Sequence, residues 1–419
     1  MEEAVAHSMR DSMVNDYLKE RLERLKDNSE GAVADYIPEL AAADDSPFSV
    51  AICTTNGQVY AEGLNDGDVD LEFTIQSMSK PFAYALALEE RGVEEVAKYV
   101  GVEPSGEAFN ELSLEGETKR PMNPMINAGA IAINQMINGE DSTVEERVEK
   151  IRQFFSKLAG RELSIDEDVS TSEIETSDRN LSIAHMLRSY GMVNDSAHDA
   201  VESYTKQCSI KVTVSDLAMM AATLANGGVQ PQTGERVCGR LVARHVQAVM
   251  ASAGMYNGAG QWMATVGIPA KSGVSGGIMG TLPGRLGLAA FSPKLNEKGN
   301  SVRAKKLFQT LSWDMGLHLM EAEAHGRVCV RSITSEEVPA ADKGIKTTVR
   351  LQGDIDFSAA ENFWRIIQDH GIPSKTLFLD LEKVDQVNAI GNEMLKEAKS
   401  RLTKAGYNVT IVDPDKVLK

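Results

Sequence analysis

Ser77 and Lys80 are the residues whose types and spacing most readily do chemistry. They sit in Thr74-Ile75-Gln76-Ser77-Met78-Ser79-Lys80-Pro81, ahead of an apolar, alanine-rich run over residues 82–88. Proline fits the first turn of a helix, where its missing N–H has no intrahelical partner to lose. The spacing therefore predicts a helix beginning near Ser77, with both side chains in its first turn. Residues at i and i+3 share a helical face, close enough for an amine to reach a hydroxyl. The positive end of the helix dipole disfavours an ammonium there and favours a developing oxyanion. A serine becomes a nucleophile when a neighbouring base takes its proton, and a desolvated lysine can serve. Ser-x-x-Lys is also a short pattern that composition alone supplies, and it recurs at Ser203 and Lys206.

Other segments compete for a chemical role. Gly273-Val274-Ser275-Gly276-Gly277 has the Gly-x-Ser-x-Gly spacing of a nucleophile elbow, but an elbow turns from a strand into a helix and the residues after it make a poor helix start. A phosphate-loop reading fails, because Ala270 stands where the glycine before Lys-Ser belongs. Lys271-Ser272-Gly273 reads differently beside a Ser-x-x-Lys. Penicillin-recognising serine hydrolases pair such a serine with a Lys-Thr-Gly strand that borders the site. The lysine would add positive potential, and a free backbone N–H there could form an oxyanion hole with the N–H of Ser77. An ordinary glycine-rich strand end fits the same residues. Asn127, Glu173, Asn180, Tyr204 and Tyr256 are polar groups in apolar or turn-like settings, and each taken singly fits a cap or surface role. The seven histidines lack paired metal-ligand spacing, so no metal and no cofactor is expected.

The elements that must position these residues follow from periodicity. Val14, Leu18, Leu22 and Leu25 recur at helical spacing, predicting a helix over residues 11–26. Residues 48–53 and 59–61 flank Asn56-Gly57, the strongest short hairpin signal. Helical patterns dominate residues 84–251, with Thr143 capping a helix to about Leu158 and Asn226-Gly227-Gly228 closing another. The stretch 171–180 reads as a solvated loop. Strand character returns over 264–270, 271–279 and 286–292, followed by a helix near 305–322. This order implies an α/β (α+β) domain whose sheet is built from both ends of the segment, with a helical subdomain inserted between them. Residues 334–346 read as a linker, and an alternating strand-helix pattern fills 347–419. The expected organisation is a first domain over 1–325, a linker over 326–346 and a small α/β domain over 347–419.

At 419 residues there is ample material for a large core. A net charge of −18 argues against nucleic acid and anionic membrane surfaces as partners, since both want a basic face. Four scattered cysteines without a Cys-x-x-Cys pair suit a reducing cytoplasm. The acidic start has no signal-peptide pattern, and no apolar stretch is long enough to span a bilayer, so a cytoplasmic location is expected.

Taken together, several stretches become specific. Gln76-Ser77-Met78-Ser79-Lys80-Pro81, Asn123-Pro124-Met125-Ile126-Asn127-Ala128-Gly129-Ala130, Ser177-Asp178-Arg179-Asn180, residues 220–228 and Pro269-Ala270-Lys271-Ser272-Gly273-Val274 closely resemble the serine-dependent glutaminase family. The resemblance runs from about residue 36 to 302. It implies a β-lactamase-like, penicillin-binding-protein-like fold and hydrolysis of L-glutamine to L-glutamate and ammonia. By position in the matching motifs, Ser77 would be the nucleophile, Lys80 its general base, and Tyr256 a proton relay. The N–H groups of Ser77 and Val274 would form the oxyanion hole. Asn127, Glu173, Asn180 and Tyr204 would hold the amino-acid head group, with Tyr36, Gln76 and Lys271 organising the site behind them. A free amino acid carries an ammonium and a carboxylate, which suits a pocket with one carboxylate such as Glu173 and several neutral donors. The resemblance also implies a homo-oligomer, dimer or tetramer.

Residues 351–356 and 377–381, with 384–395 after them, resemble the STAS family typified by anti-sigma-factor antagonists. Regulatory members phosphorylate a serine just before the position of Gly391. Ala389 and Ile390 stand there instead, so the resemblance implies an interaction or assembly module that could bind a protein partner. Two readings compete with a glutaminase: a penicillin-recognising serine hydrolase, and a non-catalytic glutamine-sensing regulator acting through the STAS-like domain.

Overall fold

The structure is a computed structural model that describes residues 13–35, 37–105, 111–112, 114–321, 329–337 and 345–418. Tyr36 therefore lies outside the described residues. The chain divides into two compact units, with the division between residues 321 and 322.

The first unit begins with helices α1 (Met13–Leu25) and α2 (Pro38–Ala41) and the hairpin β1 (Ser49–Thr54) and β2 (Val59–Gly63). Far along the chain come β5 (Ala270–Ser272), β6 (Gly277–Leu282) and β7 (Leu286–Phe291), and then α13 (Val302–Met315). The five strands form one sheet in the order β2-β1-β7-β6-β5. β1 pairs antiparallel with β7 in the register Ser49 to Phe291, so the sheet is closed by both ends of the segment as expected. Successive side chains of a strand point to opposite faces. Ala51, Cys53, Met279, Ala289 and Phe291 face one core, while Val50, Ile52, Ile278, Leu288 and Ala290 face the other. Burial on both sides explains why these strands read as continuous apolar runs without alternation.

Between the sheet halves lie a two-residue strand β3 (Phe73–Thr74), a 3₁₀ turn (Gln76–Ser79), and helices α3 (Lys80–Arg91) and α4 (Val93–Tyr99). Then follow α5 (Asn127–Met136), α6 (Val144–Ala159), α7 (Glu167–Glu175), α8 (Asp178–Ser189) and α9 (Ala197–Cys208). β4 (Lys211–Val212), α10 (Val214–Ala225), α11 (Arg240–Ala253) and α12 (Ala259–Thr265) complete the insertion. Thr143 closes a capping box with Glu146 at the start of α6, which ends at the left-handed Gly160. α10 packs its backbone directly on the sheet at Gly287, where a Cβ would lie 2.2 Å from both the Ala218 carbonyl oxygen and the Ala222 nitrogen. The opposite face is covered by α1, α12 and α13 through Leu18, Leu22, Trp262, Leu307 and Phe308.

Three local expectations are corrected. Residues 264–270 are the end of α12 and a turn, and the strand starts only at Ala270. Their alternating apolar pattern comes from burial of Val266 and Ile268, where the Trp262 Nε1 donates to the Ile268 carbonyl at 2.7 Å. The stretch 171–180, read as a loop, lies in α7 and α8, the first capped by the Asp166 side chain. The last helix is shifted toward the N-terminus and stops at Met315, with Gly316 in the left-handed region.

The second unit contains β8 (Val330–Glu337), β9 (Ile345–Ile355), α14 (Phe357–His370), β10 (Thr376–Val387), α15 (Ala389–Lys404) and β11 (Asn408–Val412), with sheet order β11-β10-β9-β8. β8 lies within the 326–346 stretch read as linker, and β9 begins there too. β8 is a half-exposed edge strand paired antiparallel with β9, so its polar composition hid it. β9, β10 and β11 are parallel and enclose Val349, Leu351, Phe363, Leu377 and Leu379. Among the described residues no helix is long and apolar enough to cross a membrane.

The α10–β7 contact leaves no space for even one methyl group. Gly287→Ala is expected to cost about 2–3 kcal/mol through overpacking, read as a lower urea midpoint for the first unit's transition.

Candidate active site

Ser77 lies in the 3₁₀ turn and Lys80 opens α3, a tighter start than the α-helical turn expected. The Lys80 N–H donates to the Ser77 carbonyl, and Pro81 follows in the helix's first turn. Gln76, just before the nucleophile candidate, has φ 49°, a left-handed conformation that a long side chain rarely adopts. Its Nε2 donates to Glu173 Oε2 at 3.2 Å, which ties the turn to α7. Tyr256 has φ 51°, so two strained residues flank Ser77, as is common at functional sites.

Lys80 is buried, at 1% exposure. Its Nζ donates to Asn127 Oδ1 at 2.7 Å and to the Met125 carbonyl at 3.3 Å. Burial lowers its pKa to about 8, against the opposing influence of Cys208 and Glu173. Asn127, at the start of α5, also accepts from the Tyr204 hydroxyl at 3.4 Å and donates to Asn180 Oδ1 at 2.9 Å. The four polar groups from α3, α5, α8 and α9 thus form one connected network. Glu173 is 8% exposed, and burial raises its pKa to about 7 while Gln76 and Lys80 pull it down. Such opposed shifts in neighbouring groups are a mark of acid–base sites.

β5 is the sheet edge facing the 3₁₀ turn. A Cβ on Gly273 would come 3.1 Å from the Ile75 carbonyl oxygen, so glycine permits the close approach of this strand end to Ser77's turn. The Tyr256 hydroxyl donates to the Ser272 carbonyl at 3.3 Å, and the Ser77 side chain is near enough to help pull its pKa down against burial. Burial pushes its pKa up to about 12, so it is a neutral phenol. Lys271 Nζ donates to the Ser272 carbonyl at 2.9 Å. Burial, with Lys80 nearby, holds the Lys271 amine well below its ordinary range. That lowered pKa weakens the positive potential expected from this lysine. A cleft of about 1030 Å³ is lined by Tyr256 and Val274 together with residues 30–35.

The competing motifs separate from this cluster. Ser203 is buried with its hydroxyl unpartnered among the described residues, while Lys206 pairs with Glu202 at 2.7 Å, so the second Ser-x-x-Lys is no dyad. Ser275 lies in a turn between two strands and cannot form an elbow. All four cysteines are free and buried. Among the described residues no group of three or more His, Cys, Asp or Glu side chains gathers as a metal site.

Sequence reasoning missed two features. Asn127 contacts the lysine directly, besides standing in the binding region. Beneath α3, Gln207 Nε2 donates to Ser79 Oγ and Gln207 Oε1 accepts from Asn134 Nδ2, both at 3.0 Å. The signal for the second was a buried-pattern serine and asparagine inside otherwise apolar runs.

Comparison with known proteins matches this architecture closely. A glutaminase family profile covers residues 31–320, and a STAS domain profile covers residues 337–419. Glutaminases of Corynebacterium efficiens and Corynebacterium glutamicum are 56% and 57% identical over 405 residues, spanning 97% of this chain and 93% and 95% of theirs. The crystal structure of Mglu superposes with a TM-score of 0.82 at 46% identity, over 97% of this chain and all of that one. Mglu in its glutamate form gives a TM-score of 0.82 at 43% identity, with the same coverage. The chain belongs to the glutaminase family of amidohydrolases, with a β-lactamase-like catalytic unit followed by a STAS domain.

Proposed function

We propose that this chain hydrolyses L-glutamine to L-glutamate and ammonia through a glutamyl ester on Ser77. The observation that carries the reading is the buried Lys80 amine. It lies in the same helical entry as Ser77, is oriented by Asn127, and has a pKa brought down to about 8. An amine poised near working pH is an effective general base.

In this reading neutral Lys80 takes the Ser77 hydroxyl proton as Oγ attacks the side-chain amide carbon. The C=O electron pair moves onto oxygen, and the N–H groups of Ser77 and Val274 receive the oxyanion. Lys80 returns the proton to the departing nitrogen, with the Tyr256 hydroxyl in the relay, and the C–N bond breaks to release ammonia. Water then adds to the ester, giving its proton to Lys80, and Lys80 passes that proton to Oγ as the C–Oγ bond breaks to release glutamate and restore Ser77. Glu173 pairs with the substrate ammonium, and Asn127, Asn180 and Tyr204 supply neutral contacts to the head group. Gln76 links the Glu173 carboxylate to the nucleophile's turn. Tyr36 belongs to the same organising set by its place in the matching motif.

The wider calls are proposals of the same kind. The buried free thiols support a reducing, cytoplasmic setting. We take the enzyme to be a homo-oligomer, and the STAS domain to be an interaction module. Asn388 caps α15 through the Gly391 N–H, and Ala389 offers no hydroxyl for phosphorylation.

Ser77→Ala is expected to lower glutamine turnover by roughly 10⁴-fold or more, with far-UV circular dichroism unchanged; normal ammonia release would refute the nucleophile. Glu173→Gln removes the charge that meets the ammonium and is expected to weaken binding by about 2 kcal/mol or more, seen as a rise in KM. The pH profile follows from the two shifts. kcat/KM should fall as pH drops through about 8, where Lys80 gains its proton, and fall further through about 7, where Glu173 loses its charge. A profile flat from pH 9 to 6 would contradict the base assignment.

A further inference from the structure

Lys271 lies fully buried beside the proposed nucleophile and has no task in the steps above. Its Nζ sits 3.8 Å from the centroid of the Tyr256 ring. It donates to the Ser272 carbonyl at 2.9 Å, the same oxygen that receives the Tyr256 hydroxyl at 3.3 Å. Tyr256 holds a left-handed backbone conformation that a bulky residue keeps only when its surroundings over-determine it. The Ser77 side chain is near enough to this hydroxyl to help lower its pKa. The ring is thus fixed at its face by one amine and at its tip by one carbonyl, and Lys271 joins the two.

We infer that Lys271 is a positioning residue for the hydrolysis: its amine, anchored on the Ser272 carbonyl, supports the Tyr256 ring so that the phenol hydroxyl reaches Ser77. The inference rests on the assignment of Ser77 and Tyr256 made above. An amine N–H can donate to a carbonyl and contact a ring face without carrying charge. The groups around it favour that neutral form. From α3, Lys80 repels a second charge. From α9, the Cys208 thiol, kept protonated by burial, is no counter-ion, and the Tyr256 phenol is neutral for the same reason. Glu173 acts on Lys80 and bonds Gln76, and among the described residues no carboxylate pairs with Lys271. Lys80 is then left as the group that takes up the reaction's proton.

The test is a set of variants in the full-length enzyme. Lys271→Met keeps the length of the side chain and removes the amine. It is expected to lower kcat by roughly 10²-fold, the effect of a reacting group displaced by about 1 Å, with KM little changed and the acid limb of kcat/KM in place. Lys271→Arg introduces a permanent charge next to Lys80 and should move that limb to lower pH. Lys271→Gln, which restores a neutral N–H donor, should recover part of the lost kcat and also serves if the Met variant does not fold. In a cycle with Tyr256→Phe, the second substitution should add little, because both remove one function. A normal kcat in Lys271→Met, or a loss that multiplies in full with that of Tyr256→Phe, would overturn the positioning role. Turnover persisting in Ser77→Ala would instead overturn the site assignment itself.

Discussion

The site depends on keeping one amine out of water. Burying an ammonium without a counter-charge is costly, so Lys80 is pushed toward its neutral form, and what holds it is hydrogen bonding to Asn127 and the Met125 carbonyl. Glu173 works in the other direction, raising the Lys80 pKa while its own is raised by burial. Neither group is strongly committed to its charge. Such a pair responds to a zwitterionic ligand, whose ammonium can stabilise the carboxylate and whose arrival removes still more water.

The surrounding fold supplies this dryness. α3 is buried from Lys80 to Leu88, so its first turn is sealed by packing on several sides. α5 and α9 bring Asn127 and Tyr204 to it, and the edge strand β5 brings Lys271 and Ser272 from the far end of the unit. Strain concentrates where these elements meet. Gln76 and Tyr256 are the left-handed, non-glycine residues of the cluster, and each is held by side-chain hydrogen bonds that cross between elements.

Much of this was legible in residue types and spacing. The Asn56-Gly57 hairpin, the Thr143 cap and the Asn226-Gly227-Gly228 stop are local devices, and they appear where local chemistry puts them. The two-ended sheet followed from the order of apolar runs. The misreadings share a cause in tertiary burial. Glu173 and Asn180 lie in a polar stretch that resembles a solvated loop, and only the packing of α7 and α8 turns their face inward. Residues 264–270 alternate like a strand because a helix end and a turn are both buried against Trp262. β8 is polar because it lies at an exposed edge, and edge pairing leaves little hydrophobic trace. The lowered pKa of Lys271 was likewise invisible, since it depends on solvation rather than on residue type.

The pairing of β1 with β7 also has a consequence for synthesis. Ser49 meets Phe291 across the sheet, and the turn that carries Ser77 meets the end of the strand carrying Lys271 and Ser272 at Gly273. A nascent chain that has emerged only through the helical insertion can form local helices but has no strand with which to extend its first hairpin into the sheet. Such long-range pairing is slow and leaves apolar surface exposed while it waits. The chemistry therefore assembles late on the ribosome, after the last strands of the unit appear, and a truncated product is left with a serine and a lysine but no strand beside them.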